Sequence, residues 1–522
     1  MADVRNAVVR LGARRDRACA GRGVRGQRPA HLRAGHDRPA GLARPAHAGH
    51  GHGPPHRGRV TRQPLPPQPG AHGQIVPDRL ERRARLGARR RAGAPREGPD
   101  HRAAADQPAA GISHRRGRCH PGRPAVRVGF AALVGALLTC RASAPFPASA
   151  GVPAASPAAL GFDSTRLAGV VDYLRGQVDS GAFPGAVLAV GRHGRVALLA
   201  AVGRYGTDDA RPVDPGTLYD LASLTKVVGL TTACMQLVDE GRLALDAPVR
   251  RYLPEFQGGG DKERVTVRHL LTHSSGLPAW RPLYREAGSR AAALALADTT
   301  PLATAPGERF VYSDLGAIVL TQVVERVSGE PLDRWLARRV FGPLGMPATR
   351  YRPPTSWRDR IAPTETDTAF RHRSLRGEVH DENAGRLGGV SGHAGLFANA
   401  PDLSRFAAML LAGGAWDSLQ LIRAETVAEF TRRQELPPGS SRALGWDTPA
   451  ESGYTSAGAT LSRRAFGHTG FTGTSLWMDP DRDLFIILLT NRVHPTRANT
   501  AILRVRPRVA DLVVDALTHP EL

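Results

Sequence analysis

The sequence predicts an α+β fold: one sheet assembled from segments far apart in the chain, with helices inserted between them. Two strand-like runs, residues 185–190 and 196–202, lie early in the region that reads as folded and flank the turn Arg192-His193-Gly194. Two more, residues 474–478 and 484–490, lie near its end and flank Asp479-Pro480-Asp481-Arg482. Between them, over roughly 240–460, apolar residues recur at helical spacing, separated by long loops.

Composition marks where that folded region begins. The 522-residue chain carries a formal net charge of +24. Residues 1–130 hold 28 arginines, no lysine and few carboxylates, which leaves the rest close to balance. No Phe, Trp or Tyr occurs before Phe130, so this quarter cannot bury enough apolar surface to offset its chain entropy. Residues 1–125 are therefore expected to be a disordered tail or an extension absent from the native protein; a basic arm tracking nucleic acid is the third reading, and no nucleic-acid partner is expected. Residues 126–144 look like a secretory signal. Arg123 and Arg127 precede the apolar run 128–138, which is too short to span a bilayer, and Ala142-Ser143-Ala144 follows. The expected location is exported, periplasmic or cell-envelope associated. Membrane attachment is expected only if Cys140 is lipidated. Residues 145–160, rich in Ala, Pro and Ser, read as a linker, and 161–522 as the folded domain.

The first element of that region is a helix. Asp163 or Ser164 caps it, and Leu167, Val170, Val171, Leu174 and Val178 form its apolar stripe. The hairpin 185–202 follows. Next comes the stretch of greatest chemical interest, Leu218-Tyr219-Asp220-Leu221-Ala222-Ser223-Leu224-Thr225-Lys226. Apolar residues continue at helical spacing to Val238, and Gly241 supplies a stop. Ser223 and Lys226 thus fall in the first turn of a buried helix, three apart on one face, so the amine can sit beside the hydroxyl. A serine with an adjacent amine is an activated nucleophile. The chain has only two lysines, Lys226 and Lys262, among 71 Lys+Arg. Lysine gives up its proton when desolvated and arginine does not, which points Lys226 towards proton transfer.

Further along, residues 267–273 lead to the turn Ser274-Ser275-Gly276-Leu277-Pro278, and residues 314–327 form a helix with Ile318, Val319, Val323 and Val327 inward. Residues 402–411 form another. The glycine-rich stretch 388–395 lacks the lysine and downstream hydroxyl of a phosphate loop and reads as a close-packed loop. An amphipathic helix, residues 508–517, closes the chain. Cys234 is the sole cysteine after Cys140, so no disulfide framework exists there and a buried thiol is expected. His269 and His273 are four apart, but no Glu completes a zinc pattern, so no metal and no cofactor are expected. His380, Asp381, Asn383 and His393 read as loop residues near the cleft.

Two more motifs accompany Ser223 and Lys226. Tyr312-Ser313-Asp314 sits at a loop-to-helix junction, where a cation at Lys226 would ease ionisation of the Tyr312 phenol and let it act as a base. His468-Thr469-Gly470 precedes the strand 474–478; beside the Ser223 N–H, that strand edge would complete an oxyanion hole. In this order, together with His269-Leu270-Leu271-Thr272-His273-Ser274-Ser275-Gly276-Leu277-Pro278, the motifs resemble those of class C serine β-lactamases, penicillin-binding D-alanyl-D-alanine carboxypeptidases and the esterases that share their fold. The resemblance covers about 165–515. It implies an antiparallel sheet flanked by the terminal helices plus an all-helical domain, with the site between them. It implies that Ser223 forms an acyl-enzyme, that Lys226 and Tyr312 move protons, and that the Ser223 and Phe471 N–H groups form the oxyanion hole. Asp314, His468, Thr469 and Gly470 would contact substrate.

Two departures stand out. Asp314 replaces the usual Asn and can pair with Lys226, raising its pKa. His468 replaces the usual Lys and is expected to be only partly charged at neutral pH, so its grip on a substrate carboxylate would strengthen towards pH 6. The expected enzyme is an exported serine hydrolase acting on ester or amide substrates, D-amino-acid and peptidoglycan-derived peptides among them, with poor β-lactam turnover. The alternative is a penicillin-binding or peptidoglycan-sensing module with little turnover.

Overall fold

A computed structural model describes residues 151–519. The expected signal, the arginine-rich extension and Cys140 lie outside the described residues. The described residues begin inside the expected linker. Val152 is buried, Ala155 N–H donates to Val196 O at 3.0 Å, and Arg405 Nε donates to Gly151 O at 2.9 Å. Residues 151–160 therefore pack against the domain, because their small and proline residues fit along a strand edge.

Helix α1 (Ser164–Asp179) starts at Asp163, whose carboxylate accepts from Thr165 and Arg166 N–H. The hairpin β1 (Gly185–Arg192) and β2 (Arg195–Gly203) follows. Short strand β3 (Tyr219–Asp220) leads into a π-turn segment, Lys226–Thr231, that continues as α2 (Thr232–Asp239). The helical region holds α3 (Val267–Leu271), α4 (Arg290–Thr299) and α5 (Asp314–Ser328), then strand β4 (Arg350–Tyr351), α6 (Glu382–Arg386), strand β5 (Leu396–Ala398) and α7 (Ala400–Leu411). The chain then returns to the sheet with β6 (Phe466–Thr469), β7 (Ser475–Asp479) and β8 (Leu484–Thr490), and ends in α8 (Ile502–Asp515).

The main sheet has the order β6-β7-β8-β1-β2, all neighbours antiparallel. Its central strands are apolar on both faces because both faces are covered. On one side Leu188, Val190, Ile486 and Leu488 join α1 and α8. On the other, Val187, Ala189, Ile487 and Leu489 join the helical region. The helical region carries a small sheet of its own, β3-β5-β4, which holds the chain on the approach to Ser223.

Two boundaries differ from expectation. His468 precedes β7, as expected, but itself lies within a further strand, the edge strand β6; four residues containing a glycine and a histidine carry little strand signal. Helix α8 begins at Ile502 rather than 508. Ile502, Val505, Val509 and Val513 keep helical spacing across Pro507, and packing of that face outweighs the one backbone hydrogen bond that proline removes.

Ile487→Ala, at a fully buried position between the layers, should lower the unfolding free energy by about 2–5 kcal/mol. Leu419→Ala, on an exposed hairpin, should change it by no more than about 0.5 kcal/mol. Urea titration with unchanged slope checks both.

Candidate active site

Ser223 sits on the turn between β3 and the first helical turn. Ala222, just before it, has φ of 45°, a conformation a residue with a Cβ adopts only when its surroundings impose it. The Asp220 carboxylate imposes it here: Oδ1 accepts from Ala222 N–H at 2.8 Å and Oδ2 from His380 N–H at 2.7 Å. Lys226 N–H donates to Ser223 O, closing the first turn, and the Lys226 side chain folds back over it. Its Nζ lies 3.0 Å from Ser223 Oγ, 2.7 Å from Asp314 Oδ1 and 3.1 Å from His393 O. An ammonium has three N–H bonds, and here each meets an acceptor.

Tyr312 and His468 stand beside this pair. The Lys226 Nζ is 4.9 Å from the Tyr312 ring centre, and the Tyr312 and His468 rings are 5.9 Å apart. Behind Tyr312, the His273 ring stacks at 4.6 Å and its Nδ1 accepts from Ser313 N–H, so His273 aligns the whole Tyr312-Ser313-Asp314 segment. The turn after β6 is laced to the Ser223 turn. Thr472 Oγ1 donates to Asp220 O at 2.6 Å and Thr474 Oγ1 to Leu221 O at 3.0 Å. Gly470 runs so close that a Cβ there would fall 2.3 Å from Leu221 O. The N–H groups of Ser223 and Phe471 donate to no acceptor among the described residues.

Residues 170–509 match the Beta-lactamase family. The chain belongs to that family. It is 33% identical over 388 residues to a Salmonella agona (strain SL483) protein named "Putative D-alanyl-D-alanine carboxypeptidase", covering 68% of this chain and 88% of that one. Among solved structures it is similar to EstCE1, described as a hydrolase with promiscuous acyltransferase activity (TM-score 0.55, 24% identity, 67% of this chain and 98% of that one). It is similarly close to a penicillin-binding protein homologue from Caulobacter crescentus (TM-score 0.55, 23% identity, 67% and 98%). As a serine hydrolase of the β-lactamase family, the chain has the expected fold.

The electrostatics of this β-lactamase-family site depart from the sequence reading in two places. Burial alone would draw the Lys226 pKa down, but Asp314 and Tyr312 outweigh it and hold the pKa above the ordinary lysine value. Asp314 Oδ1 is taken up by this ion pair, rather than left for substrate. Tyr312 was expected to ionise readily. Its burial wins over the attraction of Lys226, so its pKa is raised, and its hydroxyl has no hydrogen-bond partner of normal geometry. His468 was expected to be partly charged, but its surroundings disfavour the charged form. Burial first, then Arg442 and Lys226, push its pKa well below the ordinary histidine value. Its Nδ1 donates to Thr469 O at 2.8 Å and its Nε2 is buried without a partner. Thr469, half-buried at the end of β6, and Gly470 sit where β6 meets the Ser223 turn.

His269 and His273 do not converge. His269 Nδ1 accepts from Thr266 N–H at the start of α3, and His273 has left the helix with φ of 56°. Among the described residues no group of three His, Cys, Asp or Glu could hold a metal ion. Cys234 is fully buried in α2. Both lysines are buried; Lys262 donates to Gln257 O and Asp298 O, and burial draws its pKa down to about 8. Sequence reasoning missed Asp220, His273 and the His393 carbonyl. His393 is held by Asp381 Oδ1 at Nε2 (2.8 Å) and by Ser391 Oγ at Nδ1 (2.7 Å).

Asp314→Asn should bring the Lys226 pKa down, since it removes the charge that raises it. If neutral Lys226 is the base, the rising limb of kcat/KM against pH should move to lower pH. Between pH 6 and 8 the His468 ring should stay neutral, which its ring-proton NMR shifts would register as a flat line.

Proposed function

We propose that the chain is an exported hydrolase that cleaves esters and amides through an acyl-enzyme on Ser223. The observation that carries this reading is the threefold setting of Lys226 Nζ by Ser223, Asp314 and His393 O. When Lys226 loses one proton, Asp314 and the His393 carbonyl still engage its two N–H bonds. The lone pair then points at the Ser223 hydroxyl. Lys226 takes the hydroxyl proton as Ser223 Oγ bonds to the acyl carbon. The N–H groups of Ser223 and Phe471 receive the charge that grows on the carbonyl oxygen. Lys226 then returns the proton, through Tyr312, to the departing alcohol or amine. Water, deprotonated by the same pair, then bonds to the acyl carbon; the bond from that carbon to Ser223 Oγ breaks, and the proton is returned to Oγ as the acid leaves.

The substrate preference follows from charge. A neutral, buried His468 offers no fixed cation to a substrate carboxylate. This favours esters and peptides whose recognition does not require that group, and it weighs against efficient β-lactam turnover. The carboxypeptidase name of the Salmonella relatives supports D-amino-acid peptides as one substrate class, and EstCE1 supports esters. Export rests on the signal-like stretch in the sequence; among the described residues no helix is long and apolar enough to cross a membrane.

The test is the intact mass of the full chain after p-nitrophenyl acetate, a penicillin and a D-alanyl-D-alanine peptide, each beside Ser223→Ala. Ester hydrolysis lost in the variant, with penicillin left intact, is the expected result. A lasting penicillin adduct on Ser223 would make the protein a penicillin-binding module, and rapid penicillin hydrolysis would overturn the role given to His468.

A further inference from the structure

The peptide between Gly470 and Phe471 is gripped from the side opposite the active site. Arg506, on the part of α8 that precedes residue 508, reaches under the turn. Its Nη2 donates to Gly470 O at 2.5 Å and to Thr474 O at 2.9 Å. Gly473 N–H donates to the same Gly470 oxygen at 3.0 Å. A peptide group is planar and trans, so its C=O and N–H point in opposite directions. Fixing Gly470 C=O towards Arg506 therefore aims Phe471 N–H away from it, towards the Ser223 side to which Thr472 and Thr474 tie this turn. A cation on the carbonyl also polarises the amide and makes its N–H a stronger donor. Arg506 is only 6% exposed. Its oxygen partners on this turn are both backbone carbonyls, so these bonds serve to orient the backbone. The neighbouring Arg492 completes the grip: its Nε donates to Phe471 O at 2.7 Å and its guanidinium lies 4.4 Å from the Phe471 ring centre.

We infer that Arg506 is a positioning residue for hydrolysis, holding the Gly470–Phe471 peptide so that the Phe471 N–H faces the developing oxyanion. The inference rests on the reading that this N–H is one of the two oxyanion donors.

The experiment compares p-nitrophenyl acetate with its thionoester, in which sulfur replaces the carbonyl oxygen that such donors recognise. Wild-type full chain, Arg506→Met and Arg506→Gln are measured with the far-UV spectrum of each. The wild type should favour the oxoester far more than alkaline hydrolysis does. In a folded variant kcat for the oxoester should fall about tenfold or more, within the range for a weakened oxyanion donor. KM should stay nearly constant and the preference over the thionoester should shrink. A folded variant that keeps the wild-type preference overturns the role of Arg506 alone. A wild type with no more preference than hydroxide overturns the oxyanion reading itself. Arg506→Gln, too short to span to Gly470 O, carries the test if Arg506→Met does not fold.

Discussion

A charged lysine with almost no access to water is the constraint the rest of the structure serves. Lys226 is 3% exposed, and an ammonium so placed costs several kcal/mol unless its protons are all accepted. Three acceptors are therefore obligatory, and no single segment of chain can supply them. Ser223 comes from the same turn, Asp314 from the start of α5, and the His393 carbonyl from the glycine-rich loop before β5. Meeting one cation thus fixes three loops against each other, and the turn after β6 is stapled to the first of them through Asp220 and Leu221. Burial draws the Lys226 pKa down, and the Asp314 charge is the main opposing influence that holds it above the ordinary lysine value.

The two-sided burial of the sheet gives this arrangement its rigidity. One face is sealed by the terminal helices and the other by the helical region, and the turn that follows the edge strand β6 is backed by α8 through Arg506. The loops that bear the chemistry are short of freedom rather than mobile. Ala222 is held in a left-handed conformation by the Asp220 carboxylate, and Gly470 passes too near Leu221 to carry a side chain.

Much of this was legible in the sequence, for reasons that are physical. The strands 185–190 and 484–490 are continuous apolar runs because both sheet faces are covered, and the stripe of α1 and its Asp163 cap follow ordinary helix chemistry. Ser223, Lys226 and Tyr312 stand together because motif spacing places reactive side chains at the starts of helices. What was hidden depends on contacts between distant segments. Nothing near Asp220 in the chain reveals that its carboxylate receives the His380 N–H. The His393 contribution is a backbone carbonyl, which every residue has. The charge states of His468 and Tyr312 were misjudged for one reason: their type sets an ordinary pKa, and the depth of burial, which overrides it, is a property of the folded whole. Pro507 similarly hid the start of α8, and with it Arg506.

The sheet's strand order carries a temporal consequence. β1 lies between β2, made immediately after it, and β8, made at the far end of the domain; Ala186 pairs with Thr490. A ribosome-bound chain thus displays an apolar strand with one edge vacant until nearly the last residues emerge. Such long-range pairing folds slowly and is exposed to aggregation meanwhile. The turn that carries Phe471 lies between β6 and β7, near the end of the described residues, so a chain truncated before it keeps Ser223 and Lys226 without the turn that packs against them.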